Sequence, residues 1–207
     1  MLKPHQNIDL SRIHNKEVES FIHDNSLLQL SDFADLESYS RHNPEIQSFH
    51  HHSKTFTIQK PLNEVWDAYK NIHPKHAWNG KMLKFGLQYC RKKNEISYMD
   101  DEYAGASAGQ IVLICVRVLN GLAKVAVGHE ITGVNEKEKT IETSYLLKGK
   151  SLGCQQIQLK KCPKGFTEIK HHTLYKSGNW FRDKFIYPFF HTKAIKEFHS
   201  NIRRHLQ

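Results

Sequence analysis

From residue 53 onward, apolar and polar positions alternate in short segments divided by turn residues. Ser53 to Lys60 alternates with Phe56 and Ile58 on one face and stops at Pro61, whose missing N–H suits the first position of a helix. Leu62, Val65, Trp66 and Tyr69 then recur at helical spacing, and Asn71 to Gly80, with Pro74 and Gly80, reads as a short broken second helix. Strand patterns follow one another: Leu83, Phe85, Leu87 and Tyr89 alternate, and Ile111 to Val118 is a buried run. Leu122 to Val134 puts Val125, Val127, His129 and Ile131 on one face. Thr140 to Lys148 groups Ile141, Thr143, Tyr145 and Leu147, and Gly153 to Lys161 and Phe166 to Tyr175 are separated by Pro163-Lys164-Gly165. Asn120-Gly121 signals a hairpin, because both central residues of the favoured turn take positive φ. Consecutive strands on short turns form an antiparallel meander.

The last segment, Asn179 to Leu206, is helical. Phe181, Phe185, Phe189, Ile195, Phe198, Ile202 and Leu206 form its apolar stripe, and Pro188 should kink or interrupt it. At 1.5 Å per residue it spans about 40 Å, enough to cross a small sheet. Residues before 53 are more polar. Asn15 can cap a helix carrying Val18, Phe21 and Ile22, and Ser31 a second carrying Phe33 and Leu36. Arg41 to His52, with Asn43-Pro44 and three successive histidines, reads as a linker. The chain thus divides into an N-terminal helical extension and linker, 1–52, and a main domain, 53–207. One feature breaks the pattern: Ile111 to Val116 is apolar on both faces, whereas a sheet with one wet face alternates. Either the N-terminal segment covers the outer face near Ile111 and Leu113 through Phe21, Ile22, Leu27 and Leu28, or a homodimer interface does.

One strand, two short helices, six strands and a long terminal helix is the element order of the helix-grip fold. The stretch FTIQKPLNEVWDAYKNI (Phe56 to Ile72) resembles the opening of START-like (SRPBCC) proteins, where a strand runs into Pro and a helix bearing a Val-Trp pair. GFTEIKHHTLY (Gly165 to Tyr175) looks like their last strand, and FRDKFIYPFFHTKAIKEFHSNIRRHL is similar to the terminal helix of the polyketide cyclase/dehydrase-like and lipid-transport-like branches. The resemblance covers residues 53 to 206. It implies an α+β fold in which a curved seven-stranded antiparallel sheet wraps a long C-terminal helix around a cavity. It also implies a function of binding or transporting a hydrophobic lipid- or polyketide-like molecule, with an aromatase/cyclase-type enzyme or an interaction module with a vestigial cavity as alternatives.

Composition adjusts this picture little. The 207 residues are 39 % hydrophobic and 11 % aromatic, which can build a core, and the mean hydropathy of −0.61 points to polar loops or a polar extension. The net charge of +9 favours anionic contacts. The basic residues are nevertheless dispersed, with short clusters at Arg91-Lys92-Lys93 and Arg203-Arg204 and no nucleic-acid-binding signature, so no nucleic-acid partner is expected. No apolar run approaches the ~20 residues that span a bilayer, and the N-terminus lacks a secretory pattern, so a cytoplasmic location is expected. Cys90, Cys115, Cys154 and Cys162 show neither zinc nor disulfide spacing. Asp100-Asp101-Glu102 reads as a solvated loop. The His50-His51-His52 run is a poor metal site, since neighbours on an extended chain point to opposite sides. Gly105 to Gly109 leads into a strand and lacks the Lys-Ser/Thr ending of a phosphate loop. No cofactor or metal is expected.

Strand parity assigns the cavity lining. With Glu168 and Lys170 facing water, Thr167, Ile169, His171, Thr173 and Tyr175 turn inward; the same logic turns in His129 with Val127, and Tyr145 with Thr143. The expected ligand contacts are Val127, His129, Thr143, Tyr145, Ile169, His171, Thr173 and Tyr175, joined by Phe181 and Phe185 of the helix. His129 and His171 would bond a ligand carbonyl or carboxylate, act as general acid or base, or each be a satisfied interior histidine bonded to a neighbouring Tyr or Thr. Glu130, Glu142 and Glu168 fall out of phase with the apolar face, which leaves no carboxylate pair for acid–base catalysis. Lys184 and Lys193, beside the aromatic run, would favour peripheral contact with anionic lipid.

Overall fold

The computed structural model describes residues 7–207. Its strands are β1 (His50–Ile58), β2 (Leu83–Cys90), β3 (Glu95–Ser97), β4 (Gln110–Val118), β5 (Ala123–Asn135), β6 (Thr140–Tyr145), β7 (Leu152–Lys161) and β8 (Thr167–Lys176). They form one antiparallel sheet in the order β1-β8-β7-β6-β5-β4-β2-β3. The meander is as expected, and the strand added to the expected seven is β3, a three-residue edge too short to show a period. At the β4–β5 turn Leu119, Asn120 and Gly121 have φ of 52°, 56° and 91°, so the positive-φ turn announced by Asn-Gly begins one residue early.

The helices are α1 (Lys16–Asp24), α2 (Leu30–Ala34), α3 (Leu62–Asn71), α4 (Pro74–Ala77) and α5 (Tyr187–His205). Asn15 caps α1 by accepting the Glu17 N–H. Ser31 does not cap α2: the helix starts one residue before it, and Asp32 accepts the N–H groups of Leu28 and Gln29. The histidine run is not linker either. Pro44–Ser48 is a 3₁₀ turn, and His50, His51 and His52 open β1, paired with Tyr175, Leu174 and Thr173 of β8. Side chains alternate across a strand, so His52 is buried while His51 is exposed.

The sheet is covered on both faces. On the inner face α3 and α5 pack Val65, Trp66, Tyr69, Phe198 and Ile202 against Leu83, Phe85, Ile114, Ile157 and Ile169. On the outer face Ile8, Ile13, Val18, Ile22, Leu27, Phe33 and Leu36 pack against Leu87, Tyr89, Ile111, Leu113, Cys115 and Leu146. The N-terminal segment therefore accounts for the doubly apolar run: Ile111, Leu113 and Cys115 meet that segment, and Val112 and Ile114 meet the inner core. Leu28, expected among the covering residues, is 46 % exposed. Gly86 lets α1 approach, since a Cβ there would lie 2.8 Å from both Val18 methyls. Arg91, of the basic cluster Arg91-Lys92-Lys93, clamps this layer by donating to the carbonyls of Ala34 and Leu36 and to Glu130.

Pro188 does not kink the interior of α5. The chain enters through a π-helical turn, Arg182–Ile186, and Pro188 falls in the first turn of the α-helix that follows. Tyr187 N–H reaches back five residues to Arg182 O. Pro188 has no N–H to make the next such bond, to Asp183 O, and the Tyr175 hydroxyl donates to that carbonyl instead, at 2.7 Å.

Ile22 is fully buried in the outer layer. Ile22→Ala should therefore lower the unfolding free energy by about 2–4 kcal/mol in urea titrations. A loss below ~0.5 kcal/mol, the range of ordinary surface changes, would mean that the N-terminal layer is not part of the cooperative fold.

Candidate ligand cavity

Between the sheet and α5 lies a cavity of about 530 Å³. Its walls differ. β2, β4 and β5 supply Leu83, Ile114, Val116, Val125 and Val127, while β6, β7, β8 and α5 supply Tyr145, Gln155, His171, Tyr187 and His191. No aspartate or glutamate lines it; Lys150 and Arg182 stand at its mouth with Leu119 and Ile186. Another hollow, between Asn79–Lys84 and Lys196–Arg204, is an open groove lined mainly by charged and amide side chains.

The polar wall is one hydrogen-bonded chain. Tyr69 Oη meets His199 Nδ1 at 2.6 Å, His199 Nε2 meets His171 Nδ1 at 2.9 Å, and His171 Nε2 meets Gln155 Oε1 at 2.6 Å. Gln155 Nε2 meets Tyr145 Oη at 3.0 Å, and Tyr145 Oη meets Tyr187 Oη at 2.5 Å. Donor and acceptor inventories fix its direction. The Gln155 carbonyl only accepts, so His171 Nε2 donates and its Nδ1 accepts from His199 Nε2. His199 Nδ1 therefore accepts from Tyr69. At the other end Tyr145 accepts from Gln155, and in the Tyr145–Tyr187 bond either hydroxyl can be the donor. Either way one of these two protons is left without a partner among the described residues, and both side chains line the cavity. Reversal would require the Gln155 amide to flip and would strand the proton of the buried Tyr69 hydroxyl.

A second chain runs beside it. Thr192 Oγ1 donates to Pro188 O at 2.7 Å and so accepts from His52 Nε2 at 2.9 Å. His52 Nδ1 accordingly accepts from His191 Nδ1 at 3.1 Å, which leaves His191 Nε2 as an acceptor without a partner among the described residues. His129 stacks between Trp78 and Tyr145, and its buried Nδ1 is likewise unpartnered. The cavity thus offers one hydroxyl donor and two imidazoles with unused capacity.

Every member is held neutral. Burial pushes His129 down to about 4 and His199 down to about 3. Burial, reinforced by neighbouring histidines, holds His171 and His191 well below the usual imidazole value. Burial also raises the Tyr69, Tyr145 and Tyr187 hydroxyls.

Of the residues named from sequence, Val127, His129, Tyr145 and His171 line the cavity. Thr167, Ile169, His171, Thr173 and Tyr175 do turn inward along β8, but Ile169 lies deeper, in the inner core. Thr173 is fully buried with an unpartnered hydroxyl. Tyr175 stacks on Tyr187, with centroids 3.7 Å apart, instead of reaching the cavity. Thr143, on the same strand face as Tyr145, stops short of the lining. Phe181 and Phe185 are corrected outright: they are 58 % and 51 % exposed and are not among the residues that line the cavity. Glu130 and Glu142 pair outside it with Arg91 and Arg41, as parity requires, and Asp101 pairs with Arg12. Sequence reasoning missed Gln155, Tyr187, His191 and His199. Gln155 is in phase with Ile157 and Leu159, and Tyr187 and His191 continue backward, in steps of four, the face that carries Ile195.

An antiparallel sheet closed over a long terminal helix, with a cavity between, is the helix-grip fold of START-like and Bet v 1-like proteins. Comparison with solved structures agrees. Norcoclaurine synthase from Thalictrum flavum, solved with dopamine and hydroxybenzaldehyde, superposes with a TM-score of 0.55 at 13 % identity, covering 82 % of this chain and 94 % of that one. Ginseng major latex-like protein 151 from Panax ginseng gives 0.55 at 11 % identity, over 76 % and 97 %. KanY protein gives 0.54 at 12 %, over 76 % and 97 %. No family model matches the chain, and no curated protein matches it by sequence.

The neutral histidines have a stability consequence. An unfolded imidazole takes a proton near pH 6.5, whereas folded His129 and His199 resist it to about 4 and 3. Below pH 6.5 the unfolded chain therefore binds more protons, and stability falls with pH by about 1.4 kcal/mol per unit per histidine. Their stabilising effect is complete above pH 6.5 and erodes toward pH 4. Urea unfolding at pH 7 and pH 5 should differ by several kcal/mol. Equal values at the two pH values would show that the imidazoles take up protons in the folded state as readily as in water.

Proposed function

We propose that the chain binds an apolar, uncharged small molecule of lipid- or polyketide-like character that carries a carbonyl or similar oxygen acceptor. That oxygen sits at the Tyr145–Tyr187 hydroxyl pair, and the body of the molecule lies against Val116, Val125 and Val127. The observation that carries this reading is the one unpartnered hydroxyl proton of that pair, at the end of a directional chain and opposite an apolar wall. The volume of about 530 Å³ lies within the range of small-molecule sites, about 300–1,000 Å³. A fold-mate solved with an amine and an aromatic aldehyde supports the use of this architecture for small organic ligands. The absence of lining carboxylates disfavours a cationic ligand.

Acid–base catalysis fits less well. General acids and bases work best with pKa values near the operating pH, and here burial drives histidines and tyrosines apart, away from neutrality. Binding is the better account.

The test is a matched pair of probes, an aromatic ketone and the hydrocarbon with a methylene in place of the carbonyl, titrated by calorimetry. Tyr145→Phe with Tyr187→Phe, which removes the donor whichever way their bond runs, should weaken the ketone by about tenfold, as expected for one hydrogen bond, and leave the hydrocarbon unchanged. Val127→Trp, which fills the cavity, should abolish both. Undiminished binding to the filled variant would overturn the proposal.

A further inference from the structure

The most conspicuous surface of the molecule lies at the cavity mouth. Trp180, Phe181, Phe185, Ile186 and Phe189 are exposed by 62 %, 58 %, 51 %, 41 % and 54 %, all within ten residues. Trp180 and Phe181 both pack on Phe185, at 5.8 and 5.3 Å between centroids, so the rings form one patch. Across the mouth the β4–β5 turn adds Leu119 and Leu122, 58 % and 90 % exposed. Isolated exposed apolar residues need no explanation, but a contiguous patch of large ones marks a contact surface.

Its charges name the partner. Lys184 Nζ lies 4.9 Å from the Trp180 ring centroid, and Lys193 Nζ lies 4.1 Å from that of Phe189. Arg182 and Lys150 stand at the mouth beside them. The one acidic residue between Asn179 and Lys193, Asp183, is 2 % exposed and accepts both the N–H and the hydroxyl of Ser177. The patch is thus apolar at its centre and wholly cationic at its rim. Aromatic rings with lysines alongside suit a bilayer interface, where rings enter the headgroup region and ammonium groups meet anionic lipid. No described helix is long and apolar enough to cross a membrane, so the contact is from the surface. A two-fold pairing of copies through this face would set cationic rim against cationic rim.

We infer that this patch docks the protein, mouth first, on an anionic lipid surface. The cavity then opens directly onto the bilayer, and an apolar molecule passes between them without crossing water. The docking surface does not depend on the ligand assigned to the cavity.

Co-sedimentation of the full chain with vesicles of phosphatidylcholine, with and without phosphatidylserine, tests this at low and high salt. Binding should require phosphatidylserine and fall with salt. Lys184→Gln with Lys193→Gln should weaken it about thirtyfold, the effect of two basic side chains at an anionic surface. Phe181→Ser with Phe185→Ser should weaken it at least as much. All four positions are exposed, so unchanged thermal melting identifies these as surface effects. Brominated lipid should quench the protein, and not its Trp180→Phe variant. Absence of binding to the anionic vesicles, or binding that both variant pairs leave intact, would overturn the inference. So would a concentration-dependent dimer in sedimentation velocity that Phe181→Ser with Phe185→Ser dissociates, since the patch would then be a self-interface.

Discussion

Helix α5 and the sheet are joined by apolar packing and by chains of neutral hydrogen bonds, and the second kind of contact sets the space between them. Near its C-terminus α5 presses Phe198 and Ile202 into the inner core. His199, beside Phe198, and His191 and Tyr187, nearer the N-terminus, meet His171, His52 and Tyr145 through their polar atoms. Such contacts hold two elements at a fixed separation without filling the volume beside them. They also resist piecemeal loss, because deleting one member strands its neighbour's donor or acceptor in a low-dielectric interior. The direction of the chain follows from its buried end. Tyr69 has only a histidine to donate to, so each successive proton points toward the Tyr145–Tyr187 pair.

A sheet whose inner face is partly hollow forfeits contacts that a packed interior would make. Here the outer face compensates. Val18, Ile22, Leu27, Phe33 and Leu36 give it a second core, and Arg91 fastens the segment that carries them through two carbonyls and Glu130. The N-terminal layer therefore belongs to the energetics of the cavity, backing from outside the strands that form its apolar wall. Strands β2 and β4, clamped from outside, can bear an apolar wall with nothing packed against it.

Much of this was legible in the sequence, and the failures share a cause. The β8 alternation Thr167, Ile169, His171, Thr173, Tyr175 was readable because Glu168 and Lys170 mark the wet side, and the doubly apolar run Ile111 to Val116 announced a covering layer. What parity cannot supply is depth. Ile169 and Thr143 share a face with cavity residues yet lie beyond the cavity. The helix was harder, because its stripe was traced through apolar residues alone. Six residues separate Phe189 from Ile195, which at 100° per residue places them about 120° apart on the helix. The face that carries Ile195 runs back instead through His191 and Tyr187, residues whose polarity disguised them as solvent-facing. His52 was hidden by a run of three histidines whose alternation only a strand reveals.

The π turn explains why the two ends of that stripe diverge. A widened turn inserts an extra residue into the helical phase, so side chains before it and after it address different surroundings: Phe181, before the turn, is exposed, and Tyr187, after it, lines the cavity. Pro188 leaves Asp183 O without its backbone donor, and the Tyr175 hydroxyl supplies the bond from β8. The same Tyr175 ring stacks on Tyr187 at an interplanar angle of 14°. One strand residue thus secures the turn and aligns Tyr187 at the cavity wall. Asp183, whose side chain is held by Ser177, is at once removed from the surface and used to fix the turn, which leaves the aromatic patch with cations alone around it. The geometry of the cavity's polar end and the charge of its mouth are therefore consequences of a single local departure from the α-helix.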